Sequence, residues 1–198
     1  MPTGRGKILS LLLVEGPTEA IFYGRVKAGF LAACPCVIEC VTGLYDVNNK
    51  VLQALEARHD PRPVRAYCCL DRESRYAPTP EFDLDFIRGA LTERGVSNVL
   101  SVDSVIATQM IESWFFHDIA GIYRFLRVPT PQRNLKAFAP VERFGVADLK
   151  ALFRRHGKMY REGERARHFI ESLNIRAIHD ACQTLRQAVE TILRQSKA

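Results

Sequence analysis

Ile8-Leu9-Ser10-Leu11-Leu12-Leu13-Val14-Glu15-Gly16 is an apolar run that ends in an acid, and Val64-Arg65-Ala66-Tyr67-Cys68-Cys69-Leu70-Asp71-Arg72-Glu73 is a second. A short apolar run bounded by polar and turn residues reads as a buried strand of a parallel sheet. In an open parallel sheet the carboxyl ends of the strands line the ligand crevice. This reading brings Glu15, Asp71 and Glu73 to one sheet edge, although Glu15 is distant from the other two in sequence. Clustered carboxylates repel one another unless a cation lies between them. Oxygen ligands without a partnering His point to Mg²⁺ or Mn²⁺ rather than zinc. In an extended chain Asp71 and Glu73 would share a face, so that one metal could bridge them. The plainer alternatives are that Glu15 caps a helix and that Arg72 and Arg75 neutralise acids in an ordinary turn.

Outward from these runs the pattern alternates. A strand from about Lys7 to Glu15 leads through Gly16-Pro17-Thr18-Glu19 into a helix with Pro in its first turn, ending near Gly29. Cys36 to Thr42 reads as a second strand. Asp46 is placed to cap a helix through about Arg58, with Val47, Val51, Leu52 and Leu55 on one face. The strand ending at Asp71 follows, then a Pro-containing loop from Ser74 to Asp83 and a helix from Leu84 to Arg94 that Gly95 stops. Ser97 to Val102 reads as a fourth strand, and Thr108 to about Leu126 as one helix carrying Glu112 and Trp114. The strand–helix order predicts an α/β fold: a four-stranded, mainly parallel sheet with right-handed crossovers, flanked by helices. The segment from Val128 to Gly145, with Pro129, Pro131 and Pro140, reads as a connection. Helices are expected from Val146 to His156, Glu162 to Leu173 and Ile175 to Gln195. Residues 1–127 thus form the α/β domain, and 128–198 a basic helical extension packed on it as a cap.

A chain of 198 residues suits one well-buried core. No apolar stretch approaches the roughly 20 residues of a membrane helix. The start, Met1 to Lys7, carries two positive charges before an apolar run, as a signal peptide would. Glu15 interrupts that run and no small-residue cleavage site follows, which points to the cytoplasm. The six cysteines lack zinc-finger spacing and read as reduced thiols; Cys68 and Cys69 should face opposite sides of their strand. The formal charge of +6 is unevenly spread: residues 1–123 carry a net −3 and residues 124–198 a net +9. An acidic half joined to a basic half suits a polyanionic partner, DNA or RNA.

Four segments in order resemble the Toprim domain, whose pattern is a strand ending in Glu-Gly and a later strand ending in Asp-x-Asp. Val14-Glu15-Gly16-Pro17-Thr18-Glu19 resembles the Glu-Gly-x-Thr-Glu form of the OLD-like and small stand-alone branches. Asp71-Arg72-Glu73 departs from the pattern in its second acid. Met110-Ile111-Glu112-Ser113-Trp114-Phe115-Phe116-His117-Asp118 is similar to the Glu-x-Trp segment of the small bacterial Toprim-like proteins grouped as DUF4276. Gly157-Lys158-Met159-Tyr160-Arg161 and Ile178-His179-Asp180-Ala181-Cys182 resemble the same group. The resemblance implies a Mg²⁺- or Mn²⁺-dependent phosphodiesterase, a nuclease, with Glu15 as general acid/base or metal ligand and Asp71 and Glu73 as ligands. It adds Glu112 as a ligand of a second cation, and a phage-defence effector working beside an ATPase partner.

Lys158 is a candidate for stabilising charge in the transition state, against the alternative of a solvated surface lysine. Arg154, Arg155, Arg161 and Arg165, with Lys158, are candidates for phosphate contact, which positions a substrate without reading its sequence. Trp114 reads as core and Asp103 as a weaker candidate acid. No P-loop and no Gly-x-Ser-x-Gly signature occurs. The rival readings are a non-cleaving module that binds metal or nucleic acid, a subunit whose basic tail docks an acidic partner, and a phosphatase acting on small nucleotides.

Overall fold

The computed structural model describes residues 7–41, 46–58, 61–72, 83–107 and 109–196. Residues 73–82, which include Glu73 and most of the expected Pro-containing loop, and Thr108 lie outside the described residues.

Four strands form one sheet: β1 (Leu9–Val14), β2 (Cys36–Cys40), β3 (Val64–Asp71) and β4 (Val99–Ala107). Their spatial order is β2-β1-β3-β4, and every neighbouring pair is parallel. The two central strands are the two apolar runs. All of β1 is buried, and β3 is buried except at Arg65 and Asp71. Strands covered on both faces need apolar residues at every position, so they read as runs rather than alternations. Cys68 and Cys69 do face opposite sides of the sheet: Cys69 joins Leu12, Val14 and Tyr67, while Cys68 joins Leu11, Leu13 and Ala66.

Helix α1 (Pro17–Phe30) covers the first of these faces, through Ile21, Phe22 and Val26. Helices α2 (Val47–Glu56) and α3 (Leu84–Glu93) cover the second, through Val51, Leu52, Leu55, Ile87 and Leu91. The chain steps outward from β1 to β2 and then back across to β3. The junction between β1 and β3 is therefore the topological switch point, where the loops at the carboxyl ends diverge and leave a crevice.

Several boundaries differ from expectation for local reasons. Strand β4 runs on to Ala107, because the polar Asp103 and Ser104 occupy an edge strand that reaches solvent. Asp46 does not cap α2 through its side chain: it sits at φ 65°, and its Oδ1 accepts from Asn49 Nδ2 at 2.7 Å. Asp83 does cap α3, accepting from Phe86 N at 2.8 Å, and Gly95 ends that helix at φ +69°.

The single helix expected from Thr108 is two, α4 (Ile111–Phe115) and α5 (Ile119–Phe125), joined by a 3₁₀ turn at Phe116–Asp118. Buried Asp118 makes the break. Its Oδ1 accepts from Gly121 N at 3.0 Å, and its Oδ2 from Asn174 N at 2.7 Å. One carboxylate thus caps α5 and fixes the start of α8 (Ile175–Ala181). Position 121 must be glycine for this, since a Cβ there would lie 1.9 Å from Asp118 Oδ2.

The connection after α5 holds only 3₁₀ turns, at Thr130–Gln132 and Val141–Arg143. Helices α6 (Val146–Arg155), α7 (Arg167–Ser172), α8 and α9 (Gln183–Gln195) complete the chain. The tail helix expected from Ile175 is interrupted at Cys182, whose backbone is extended. Leu149, Phe153, Phe169, Ile178, Leu185 and Ile192 enter the same core as α1. Burying such a side chain contributes about 1.5–3 kcal/mol, so the C-terminal helices are part of the fold's main core. No described helix is long and apolar enough to cross a membrane. All six cysteines carry free thiols.

Candidate functional site

The site is assembled at the switch point. Strand β1 ends at Val14, so Glu15 projects beyond it; β3 ends at Asp71 beside it. The two are coupled directly, with Asp71 N donating to Glu15 Oε1 at 2.8 Å. Parallel pairing of β1 with β3 in register, Val14 against Cys69, makes this contact possible across 56 residues of sequence.

Two further acids complete the cluster. Gly16 is the N-cap of α1 and Pro17 its first residue, which places Glu19 in the first turn. The Glu19 carboxylate turns back toward Gly16, where the backbone N–H groups of Glu19 and Gly16 favour its charged form. A Cβ at position 16 would lie 3.1 Å from Glu19 Oε2, so glycine leaves room for that reach. Glu112 comes from the start of α4, with only 4% of its surface exposed. Its Oε1 accepts from Tyr160 Oη at 3.0 Å.

The electrostatics follow from crowding and burial. Burial pushes the Asp71 carboxyl up to about 9, with Glu19, Glu112 and Glu15 adding their repulsion and the Ile111 N–H opposing it. Burial likewise takes Glu112 up to about 7, opposed by its own N–H and the Tyr160 hydroxyl. Burial raises Glu19 too, opposed by the backbone N–H groups of Glu19 and Gly16. No ion pair between described residues reaches Asp71, Glu19 or Glu112. At neutral pH Asp71 therefore holds a proton, which a bound cation would displace.

The donor set fits a hard divalent cation, being carboxylate oxygen from four positions with no imidazole among them. Among the described residues no three His, Cys, Asp or Glu side chains converge as a ready cage. Mg²⁺ is commonly held by one or two carboxylates, with substrate phosphate and water filling the other positions. Asp71, at the end of the central strand, and buried Glu112 suit that role.

Of the residues singled out in the sequence, Glu15, Asp71 and Glu112 are thus brought together, and Glu73 lies outside the described residues. Lys158 is directed elsewhere. Its Nζ donates to Phe125 O at 2.7 Å and lies 4.6 Å from the centre of the Phe125 ring. Arg154 and Arg155 are exposed in the last turn of α6. Arg161 and Arg165 line a depression of about 410 Å³ with Lys150, Tyr160, Glu162 and Glu164. Asp103 is held on the edge strand by Arg88 at 3.8 Å and Ser101 at 3.1 Å. Trp114 is core, packed against Phe22.

Three contributors escaped the sequence reading. Glu19 stands four residues, about one helical turn, after Glu15, within the segment that carried the resemblance. Thr18 accepts from Gly163 N through its Oγ1 at 2.7 Å. Tyr160 is two residues beyond the lysine that drew the attention. Nothing in their local patterns marks Thr18 or Tyr160, because both act across long separations.

Comparison of the chain with protein-family models, curated proteins and solved structures finds no match.

Proposed function

We propose that this protein is a Mg²⁺- or Mn²⁺-dependent phosphodiesterase that cleaves DNA or RNA, built on a Toprim-like α/β scaffold. One observation carries the reading. Asp71 ends a central strand at the switch point, half-buried beside Glu15, Glu19 and Glu112, with its carboxyl raised to about 9. Crowding of this kind is unfavourable in the empty protein and favourable once a divalent cation is bound. The sequence resemblance to Toprim-like bacterial proteins of the DUF4276 group supports the same chemistry.

When bound, the cation would polarise a phosphoryl oxygen and lower the pKa of bound water. The chain's own residues do the rest. Asp71 and Glu112 hold the ion. Glu15, fixed by the Asp71 N–H at 2.8 Å, stands beside them as the group to take a proton from the attacking water. Arg161 and Arg165, exposed beside Tyr160, contact substrate phosphates, and Arg154 and Arg155 extend the basic surface. Lys158, tied to Phe125 O, is left out of the chemistry. A cytoplasmic phage-defence role beside an ATPase partner is consistent with the resemblance and belongs to this proposal.

The test is cleavage of labelled DNA and RNA with Mn²⁺ or Mg²⁺ by the wild type, Asp71→Ala and Glu15→Ala. Metal-dependent cleavage lost in both variants, with the fold intact, supports the reading; cleavage unchanged in both sinks it. The engagement of Lys158 with Phe125 favours one alternative, a module that binds metal and nucleic acid without cutting. Metal binding lost in Asp71→Ala, with no cleavage by any form, would select it.

A further inference from the structure

The carboxylate cluster is not confined to the sheet and its first helix. Tyr160 reaches it from the C-terminal part, 48 residues beyond Glu112. Both partners are buried, Tyr160 at 3% and Glu112 at 4% exposure, so their 3.0 Å hydrogen bond is shielded from water. The ring is held on its other sides by Phe153 and Phe169, with centroids at 5.5 and 5.8 Å. The backbone that carries Tyr160 is anchored at both ends. Gly157, at φ +69°, ends α6, and the Lys158 N–H donates to Phe153 O at 2.9 Å. Gly163, at φ +71°, donates its N–H to Thr18 Oγ1 at 2.7 Å. Thr18 lies between Glu15 and Glu19 in sequence and is itself buried. The segment from Tyr160 to Gly163 is therefore clamped to the helix that follows β1 and to the acid that begins α4.

We infer that Tyr160 is a positioning residue for Glu112, and that the Thr18–Gly163 hydrogen bond holds Tyr160 in place to do this. The inference rests on the proposed metal-binding reading of the cluster. A buried carboxylate with one oxygen fixed by a donor keeps its other oxygen aimed in one direction. Partners of this kind orient metal ligands, and their loss lowers metal affinity by about 10- to 100-fold. Tyr160→Phe removes only the hydroxyl and keeps the ring that packs on Phe153 and Phe169, so the fold is retained. Thr18→Val does the same for the clamp.

The experiment is calorimetric titration of Mn²⁺ into the full chain, with electron paramagnetic resonance of the bound ion, for the wild type, Tyr160→Phe, Thr18→Val and Asp71→Asn. Thermal melting in chelator serves as the fold control. The expected result is Mn²⁺ binding by the wild type, loss in Asp71→Asn, and at least about 10-fold weaker binding in Tyr160→Phe with an altered spectrum. Thr18→Val should move the same way by less. Wild-type affinity and spectrum in Tyr160→Phe, with binding still lost in Asp71→Asn, would overturn the positioning role and leave the metal reading standing. No binding by the wild type, or full binding by Asp71→Asn, would overturn the metal reading and this inference with it.

Discussion

Asp71→Asn should make the metal-free protein more stable, and increasingly so as pH rises. Asparagine resembles the protonated acid in shape and in hydrogen-bonding capacity, and it keeps an acceptor for the Ile111 N–H. The native Asp71 carboxyl sits at about 9. In the unfolded chain the same group ionises at about 3.9. The native state therefore keeps a proton that the unfolded state gives up. Asp71's contribution is fully favourable below the unfolded value and is lost as pH climbs from there through about 9. Each pH unit in that window costs the wild type about 1.4 kcal/mol, and Asn pays none of it. At pH 7 the ceiling on the difference is about 4 kcal/mol. Asp71 is half-buried, and the water that still reaches it reduces this, so we expect about 2 kcal/mol at pH 7.5 and about a third of that at pH 5. Urea denaturation in chelator at both pH values measures it. Added Mn²⁺ should reverse the order, stabilising the wild type by mass action and leaving the variant unchanged. A variant less stable than wild type at pH 7.5, or a difference that does not grow with pH, would refute the argument that Asp71 is held protonated by its surroundings.

Other expectations follow from named contacts. Asp118→Ala removes the acceptor for both Gly121 N and Asn174 N and should cost about 2–3 kcal/mol in chemical denaturation, since each buried cap contributes about 1 kcal/mol or more. Gly121→Ala places a Cβ against Asp118 Oδ2 and should cost about 2 kcal/mol or more by the same measurement, with α5 and α8 disturbed together. Lys158→Met should lower stability by about 1 kcal/mol while leaving cleavage per folded molecule unchanged, because its ammonium serves Phe125; a large loss of kcat would restore it to the chemistry. Arg161→Ala and Arg165→Ala should each weaken DNA or RNA binding without changing sequence preference, and each should reduce the salt slope of binding by about 1 in a filter or anisotropy assay.

The sheet and half of the site were legible in sequence for one physical reason. A strand buried on both faces must be apolar throughout, so Leu9 to Val14 and Val64 to Leu70 stand out, and an acid at the end of such a run is conspicuous. The all-parallel order and the placement of Glu15 beside Asp71 follow from the strand–helix alternation. What stayed illegible depends on side chains meeting across the fold. The break at Asp118 is hidden because the apolar pattern of α4 continues into α5; the carboxylate that caps α5 through Gly121 N is held in place by the N–H of Asn174, 56 residues away. Lys158 looked functional because lysines beside glycines often bind phosphate, whereas the packing of Phe125 against α6 and α7 decides where its ammonium goes.

The charge asymmetry acquires a structural meaning from the same contacts. An acidic cluster repels the polyanion it is proposed to cut, so substrate must be drawn in by charge supplied from elsewhere. That charge lies on the C-terminal helices, and the residues joining the two halves are the ones that shape the cluster. Tyr160 bonds to Glu112, and Gly163 bonds to Thr18 between Glu15 and Glu19. Arg161 lies between these two anchors in sequence, so its position relative to the carboxylates is set by the clamp that orients Glu112. Loosening the clamp should therefore affect metal affinity and phosphate contact together, whereas removing Arg161 alone should affect only the second. Thr18→Val and Arg161→Ala, compared for Mn²⁺ affinity and for the salt slope of nucleic-acid binding, separate the two. If Thr18→Val altered neither quantity, the basic half would be an independent binding surface and not a working part of the carboxylate site.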